Sequence, residues 1–289
     1  MPRAAGIARD YVSMNLASPA TRSVANAGPV VLRADVDNIA LLSLNRPQRR
    51  NTLSEAMLAS LSEIFSSIAA DLRIRAVVIS ATGPAFSAGH DLKEITAHRK
   101  DADGGRAYVK DIMEKCSALM QSITRLPQPV IAAVEGVATA SGCQLVASCD
   151  LAVASSTARF ATPGVHIGLF CSTPMVALSR NVAAKHAMEM LLTGDMVSAD
   201  DAYRIGLVNR VVPAEKAGEE ALKLARKVAA KSALTVRTGK EAFYRQRELP
   251  LADAYKYAVE VMVENMMARD AEEGIGAFIE KRDPNWQHR

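Results

Sequence analysis

Apolar residues along this chain follow two different periods. From Val30 the runs are short: Val30-Val31-Leu32 and Ile39-Ala40-Leu41-Leu42-Ser43-Leu44 flank the turn segment Asp35-Val36-Asp37-Asn38, and Asn45-Arg46-Pro47 closes the second. That pattern predicts a β-hairpin. The period then lengthens. Leu53, Met57, Leu61, Ile64, Phe65 and Ile68 fall on one helical face, with Thr52 and Glu55 at capping-box spacing ahead of it. Short runs return at 77–79 and 130–134, separated by a helical stripe over 108–123. Runs of this length fit buried strands, and strands alternating with helices predict an α/β domain. Beyond Pro213 the pattern is helical almost throughout, with apolar stripes and charged backs at 221–229, 251–267 and 275–279. No domain-sized linker sets these stripes apart. The chain divides into a small, polar tail over 1–28, read as disordered, a core over 29–215, and a helical extension over 216–289.

Two junctions between strand and turn bear on chemistry. The run 130–134 ends at Glu135-Gly136 and gives way to Ala138-Thr139-Ala140-Ser141-Gly142. Cys143-Gln144-Leu145-Val146-Ala147 follows at helical spacing, then Asp150 and the apolar run Leu151-Ala152-Val153-Ala154. Residues this small let a backbone pass close to a ligand. The orphan N–H groups of a new helix can hold an oxygen carrying negative charge. Packing at a tight turn explains the same residues equally well. The second junction lies earlier, where Arg75-Ala76-Val77-Val78-Ile79-Ser80 runs into Thr82-Gly83-Pro84-Ala85 and then Phe86-Ser87-Ala88-Gly89-His90-Asp91-Leu92-Lys93-Glu94.

Residues 86–94 and 135–150, read together, resemble the crotonase, or enoyl-CoA hydratase/isomerase, superfamily. Leu44-Asn45-Arg46-Pro47, Phe160-Ala161-Thr162-Pro163, Leu192-Thr193-Gly194 and the stretch from Ala202 to Val212 extend the resemblance, in one register, from about residue 31 to the C-terminus. It implies an α/β fold built as a spiral of ββα units, with a C-terminal helical extension that covers the site and builds a homotrimer, often doubled to a hexamer. It implies a coenzyme A thioester as ligand and no separate cofactor. The backbone N–H groups of His90 and Ser141 would hold the acyl carbonyl, since fixed donors stabilise an enolate oxygen without reorganising. The His90 imidazole itself is expected to be exposed or at the ligand edge, without a proton-transfer role. Arg49, Arg50 and Lys93 are candidates for the coenzyme A phosphates, with Ala88, Asp91 and Leu92 in the same binding turn; solvated surface charge is the alternative for the basic residues.

The acids are where this chain departs from the pattern. Hydratases of the family use two glutamates, and the matching positions here are Gln144 and Gly164. Adding water across a double bond needs groups that move protons, each contributing about 10²–10⁴-fold. An amide cannot accept a proton, and glycine has no side chain to offer. The carboxylate position of related isomerases falls on Ser172. His166 is the most plausible substitute, since its ordinary pKa lies near neutrality, against the alternative that it caps or packs the loop. Asp91 and Glu94 are expected to orient the turn and a helix start, and Cys143 and Cys171 to fill small buried spaces.

Composition narrows this further. Hydrophobic residues make up 49% and charged residues 23%, which is ordinary for a globular protein, while aromatics are only 4% and leave an aliphatic core with twelve methionines as filler. A net charge of +4 suits a phosphate-bearing ligand but shows no concentrated basic and aromatic patch for nucleic acid. Cys116, Cys143, Cys149 and Cys171 show neither metal-site nor disulfide spacing, so no metal is expected. No apolar run approaches a membrane span. The tail carries Arg3, Arg9 and Arg22 but also Asp10 and no amphipathic face, so a cytoplasmic location is expected, with the mitochondrial matrix as the alternative. The expected function is an acyl-CoA-binding, hydratase-like protein of fatty-acid metabolism with weak or absent hydratase activity. The rivals are another acyl-CoA enzyme, an isomerase or thioesterase, and a non-catalytic acyl-CoA-binding or regulatory protein.

Overall fold

The computed structural model describes residues 28–288, so the tail read over 1–28 lies outside them apart from Gly28. Strands β1 (Val31–Val36) and β2 (Ile39–Leu44) form the expected hairpin, pairing antiparallel across a turn in which Asp37 takes a left-handed φ of 55°. Helix α1 (Glu55–Ala70) follows. Next come β3 (Ala76–Ala81), β4 (Ala85–Ser87), α2 (Leu92–Ala97) and α3 (Arg106–Arg125). The pattern repeats as β5 (Val130–Val134), β6 (Val137–Thr139) and α4 (Ser141–Ser148), and again as β7 (Leu151–Ser155), β8 (Arg159–Ala161), α5 (Ser172–Asn181) and α6 (Ala184–Thr193). Short elements β9 (Val197–Ser198), α7 (Ala199–Arg204) and β10 (Arg210–Val212) lead into α8 (Ala217–Ala229), α9 (Ala233–Gln246), α10 (Leu251–Met266) and α11 (Arg269–Glu280).

The hairpin β1–β2 lies wholly in the larger of two sheets, and each later pair, β3–β4, β5–β6 and β7–β8, contributes one strand to each. The larger runs β1-β2-β3-β5-β7-β10 and is parallel after its first pair; the smaller runs β4-β6-β8-β9. This is the spiral that the resemblance implied. Strands of the smaller sheet are two or three residues long, too short to show a period of two.

The larger sheet is covered on both faces, as parallel sheets require. Ala40, Leu42, Leu44, Val77, Ile79 and Val130 meet α1 and α3 on one side, through Met57, Leu61, Phe65, Ile112 and Leu119. Ile39, Leu41, Val78, Ile131 and Val153 meet Ala217, Ala221, Leu222 and Ala225 of α8 on the other. Helix α8 falls within the stretch assigned to the extension, yet its alanine-rich face lies directly on the sheet. Truncating a buried core residue such as Leu61 costs about 2–5 kcal/mol.

The cap of α1 differs from expectation. Ser54 accepts from Met57 N, whereas the Thr52 hydroxyl donates to Asp91 Oδ2 at 3.3 Å. Leu53 is fully buried but sits before the helix, in a bridge to His90. The capping residue moves because the loop ahead of it is tied to the next strand.

Helix α9 is fastened by a buried ion pair. Lys240 Nζ donates to Asp150 Oδ2 (2.6 Å), Ile123 O (2.8 Å) and Gln128 O (3.0 Å). Tyr244 Oη donates to Asp150 Oδ1 at 2.9 Å. Burial pushes the lysine pKa down against the pull of Asp150.

Candidate functional site

The loop after β2 and the turn after β4 are laced together. Ser87 Oγ donates to Asn51 O (2.8 Å), Ala88 N to Arg50 O (3.0 Å) and Leu53 N to Gly89 O (2.8 Å). Arg49 Nη1 donates to Asp91 Oδ2 at 2.6 Å. Asp91 in turn caps α2, its Oδ1 accepting from Lys93 N and Glu94 N. Burial would raise the pKa of this carboxyl, but the donors Arg49, Glu94 N and Lys93 N hold it below the usual carboxylate range. The structure therefore gathers Arg49, Arg50, Ala88 and Asp91, with Leu92 and Lys93 exposed on the first turn of α2. Arg49 is engaged by Asp91. The side chains of Arg50 and Lys93 make no hydrogen bond or ion pair with the described residues.

The bridge to Leu53 aims Gly89 O at that residue, so the N–H of His90 points the other way. Ser141 opens α4, where its N–H has no acceptor within the helix. Neither N–H donates to a protein group among the described residues. Two glycines bring these turns into contact. Gly89 holds a φ of +90°, and a Cβ there would lie 2.9 Å from Ala140 Cβ and 3.4 Å from Ser141 N. A Cβ on Gly142 would lie 2.2 Å from Ser87 O. Between them Ala140 adopts φ 50°, ψ −121°, a sparsely populated conformation that costs about 1–3 kcal/mol. Ala140 N to Ala161 O (2.9 Å) and Gln144 N to Ala140 O (3.0 Å) hold it there. Two free backbone donors on touching turns can bind an oxygen as charge develops on it.

Side chains at these turns are left wanting. Among the described residues, eight buried side-chain polar atoms lack a partner, and half are here: His90 Nδ1 and Nε2, Ser141 Oγ and Gln144 Oε1. Buried polar groups are normally paired, and these atoms are within reach of any ligand or water that enters between the two turns. Of the two placements expected for the His90 ring, the fully exposed one is not seen: the residue is half-buried with both ring nitrogens shielded, and burial pushes its pKa below the ordinary histidine value.

Gln144 is 4% exposed and lines a cleft of about 870 Å³ with Ala147, Ser148 and Ser172. Gly164 is buried, and the space beside it is filled: a Cβ would lie 2.7 Å from Leu169 O and 3.0 Å from Cys171 Sγ. His166 is exposed and its Nε2 lies 2.8 Å from Thr193 O, the last residue of α6. That ring joins the loop to a helix C-terminus, the packing alternative of the two weighed for it. Burial pushes the Cys143 thiol up to about 12 and raises that of Cys171, so both are protonated and inert near neutrality.

The profile of the family described as enoyl-CoA hydratase/isomerase matches residues 35–289. The chain belongs to this family. Enoyl-CoA hydratase domain-containing protein 3, mitochondrial, from Rattus norvegicus is 49% identical over 252 residues, which is 87% of this chain and 82% of that one. Its Homo sapiens counterpart is 48% identical over 253 residues, 88% and 82% of the two chains. The crystal structure of human enoyl-CoA hydratase domain-containing protein 3 superposes with a TM-score of 0.84 at 47% identity, covering 89% of this chain and 100% of that one. An enoyl-CoA hydratase from Mycobacterium smegmatis gives 0.85 at 52% identity, covering 90% and 99%. The crotonase fold expected from the motifs is the fold of this chain.

Two residues that brace the site escaped the sequence reading. Asn51 is fully buried at φ 51°, with Nδ2 donating to Thr82 O and Ala85 O (both 2.8 Å) and Oδ1 accepting from Arg46 N (2.7 Å). Its signal was an asparagine two residues after a proline turn, where left-handed backbone is tolerated. Glu135 accepts from Ala217 N and Glu215 N and so fixes the β5–β6 corner to the start of α8.

Proposed function

We propose that this chain binds an acyl-CoA, with the thioester carbonyl held by the N–H groups of His90 and Ser141, and that it is a poor enoyl-CoA hydratase. One observation carries the reading: two unpaired backbone donors lie on turns pressed together by Gly89 and Gly142, among orphaned polar side chains. Each such donor is worth about 3–4 kcal/mol where charge develops on oxygen. Arg50 and Lys93, free of protein partners, suit the coenzyme A phosphates, and Arg49 positions Asp91. The family's hydratase chemistry needs carboxylates at 144 and 164. Here an amide stands at one, and the Leu169 carbonyl crowds the other. A role in fatty-acid metabolism is part of the proposal, supported by membership of the enoyl-CoA hydratase/isomerase family. The word mitochondrial in the names of the rat and human relatives favours that location over the cytoplasmic one expected from the tail.

The assembly is a homotrimer or hexamer. Leu251, Tyr255, Val259, Met262, Val263 and Met266 form one stripe along α10 and are each more than half exposed in the single chain, a patch that calls for a partner. Calorimetry with butyryl-CoA should give saturable binding, beside negligible hydration of crotonyl-CoA in the same preparation. No binding at millimolar thioester overturns the reading.

A further inference from the structure

Arginine dominates the cleft that opens at Gln144. It runs along the Gln144–Ala147–Ser148 face of α4 and is walled by α3, α5 and α9. Ser141, which carries one of the two free N–H groups, stands one turn before Gln144 on the same face. The far end of that face, Ser148, is about 10 Å further along the axis at 1.5 Å per residue. Met120, Ala147, Val176 and Ala177 give the lining its apolar part, with Ser148, Ser172 and Thr173 among the polar residues beside them. The charged part of the lining is Arg125, Arg180, Arg237, Arg245 and Arg247 against two acids, Glu241 and Glu248.

Four of these five guanidiniums are engaged. Arg125 donates to Gln121 Oε1 (2.9 Å), Arg180 pairs with Glu248 (3.5 Å), Arg245 lies over the Tyr257 ring (4.5 Å) and Arg247 donates to Arg180 O. Arg237 makes no hydrogen bond or ion pair with any described residue, although Glu241 is one turn away on the same wall. A cleft that combines apolar lining with a free, forked cation is the complement of an alkyl chain that ends in a carboxylate.

Resting on the thioester reading above, we infer that this cleft takes the acyl chain and that Arg237 selects an acyl group bearing a terminal carboxylate, as in the coenzyme A monothioester of a medium-length dicarboxylic acid. Arg237 is exposed in the single chain, so the preference is that of a partly screened pair, roughly fivefold to tenfold in affinity.

Octanoyl-CoA and suberoyl-CoA differ only in that terminal carboxylate. Calorimetry on the full chain should give suberoyl-CoA the tighter binding by roughly fivefold or more, with the ratio falling to near parity in Arg237→Gln and rising at low salt. Octanoyl-CoA binding as tightly as suberoyl-CoA overturns the inference and leaves the thioester reading standing. So does a preference that survives Arg237→Gln unchanged. Failure of both thioesters to bind overturns the thioester reading and this inference with it.

Discussion

Replacing Gln144 by glutamate should raise crotonyl-CoA hydration, whereas a glutamate at 164 should cost more than it returns. Gln144 is 4% exposed with Oε1 unpaired, and glutamate has nearly its shape, so the packing is kept. A buried carboxyl has its pKa raised toward neutrality, where proton transfer is most effective. One positioned group contributes about 10²–10⁴-fold. With water as the other proton carrier, the low end applies, a gain on the order of 10²-fold. Position 164 behaves differently. Gly164 is not among the left-handed glycines, so backbone strain is no obstacle. Space is the obstacle, because the Cβ would lie 2.7 Å from a backbone carbonyl, and Leu169 N donates to Gly164 O at 2.9 Å. Overpacking costs about 1–3 kcal/mol and a lost hydrogen bond about 1 kcal/mol. Gly164→Glu should therefore be about 2–4 kcal/mol less stable than the parent, and the double variant should inherit that loss. Steady-state hydration assays with denaturant unfolding of each variant measure both quantities. Parent turnover of tens per second refutes the argument from missing acids. A Gly164→Glu protein as stable as the parent refutes the argument from space.

Lys240→Met should cost about 3–5 kcal/mol, since it leaves Asp150 buried without its cation; urea unfolding measures it, and a loss below 1 kcal/mol contradicts the role given to this pair. His90 has a folded-state pKa below its unfolded value near 6.5, so its contribution is fully present above about pH 6.5 and is lost as pH falls through the folded value, because the unfolded chain binds the proton the fold excludes. His90→Leu should flatten the acid limb of a melting-temperature profile below about pH 6.5, and an unchanged limb contradicts it. Lys93→Ala should weaken thioester binding more than Arg49→Ala, because the Arg49 guanidinium is already engaged by the buried Asp91 carboxylate; the reverse order by calorimetry counts against phosphate contact at Lys93. Light scattering should give three or six times the 30.9 kDa chain mass, and a monomer at micromolar concentration contradicts the role given to α10.

Periodicity revealed the larger sheet and the long helices because those elements last long enough to show it. Of the six residues on the predicted face, Leu53 lies before α1, and four of the five within it, Met57, Leu61, Phe65 and Ile68, are buried, since a helix on a sheet must hide one stripe. The smaller sheet stayed hidden because β4, β6 and β8 have three residues each. Yet those strands set the site, since β4 and β6 deliver the Ala88–His90 and Ala140–Ser141 turns side by side. Motif resemblance located those turns where periodicity could not, because close approach demands Gly89 and Gly142 and leaves a readable spelling. Side-chain roles were less legible. Arg49 has the sequence context of a phosphate ligand, but Asp91, 42 positions away, engages it. His90 sits in a motif that left its ring exposed or at the ligand edge, and the fold half-buries it with both ring nitrogens shielded. Spacing along the chain says nothing about such long-range neighbours.

The same distinction bears on what kind of protein this is. Loss of a catalytic side chain alone leaves a site that one substitution can restore. At Gln144 the amide keeps the shape of the acid it stands for. At Gly164 the chain has gone further: Leu169 O and Cys171 Sγ occupy the space a side chain would need. A loop packed over a vacant position must be displaced before any side chain can return, so the change at 164 is reinforced by packing and the change at 144 is not. The donor pair experiences the opposite pressure. Ala140 keeps a conformation costing about 1–3 kcal/mol, with two backbone hydrogen bonds holding it. A chain that had lost its ligand as well as its acids would gain stability by relaxing that turn. A strained donor turn serves any chain that holds a thioester carbonyl, hydratase or binder, so it is the crowding at 164 that favours the proposed binder with weak hydratase activity over an efficient hydratase.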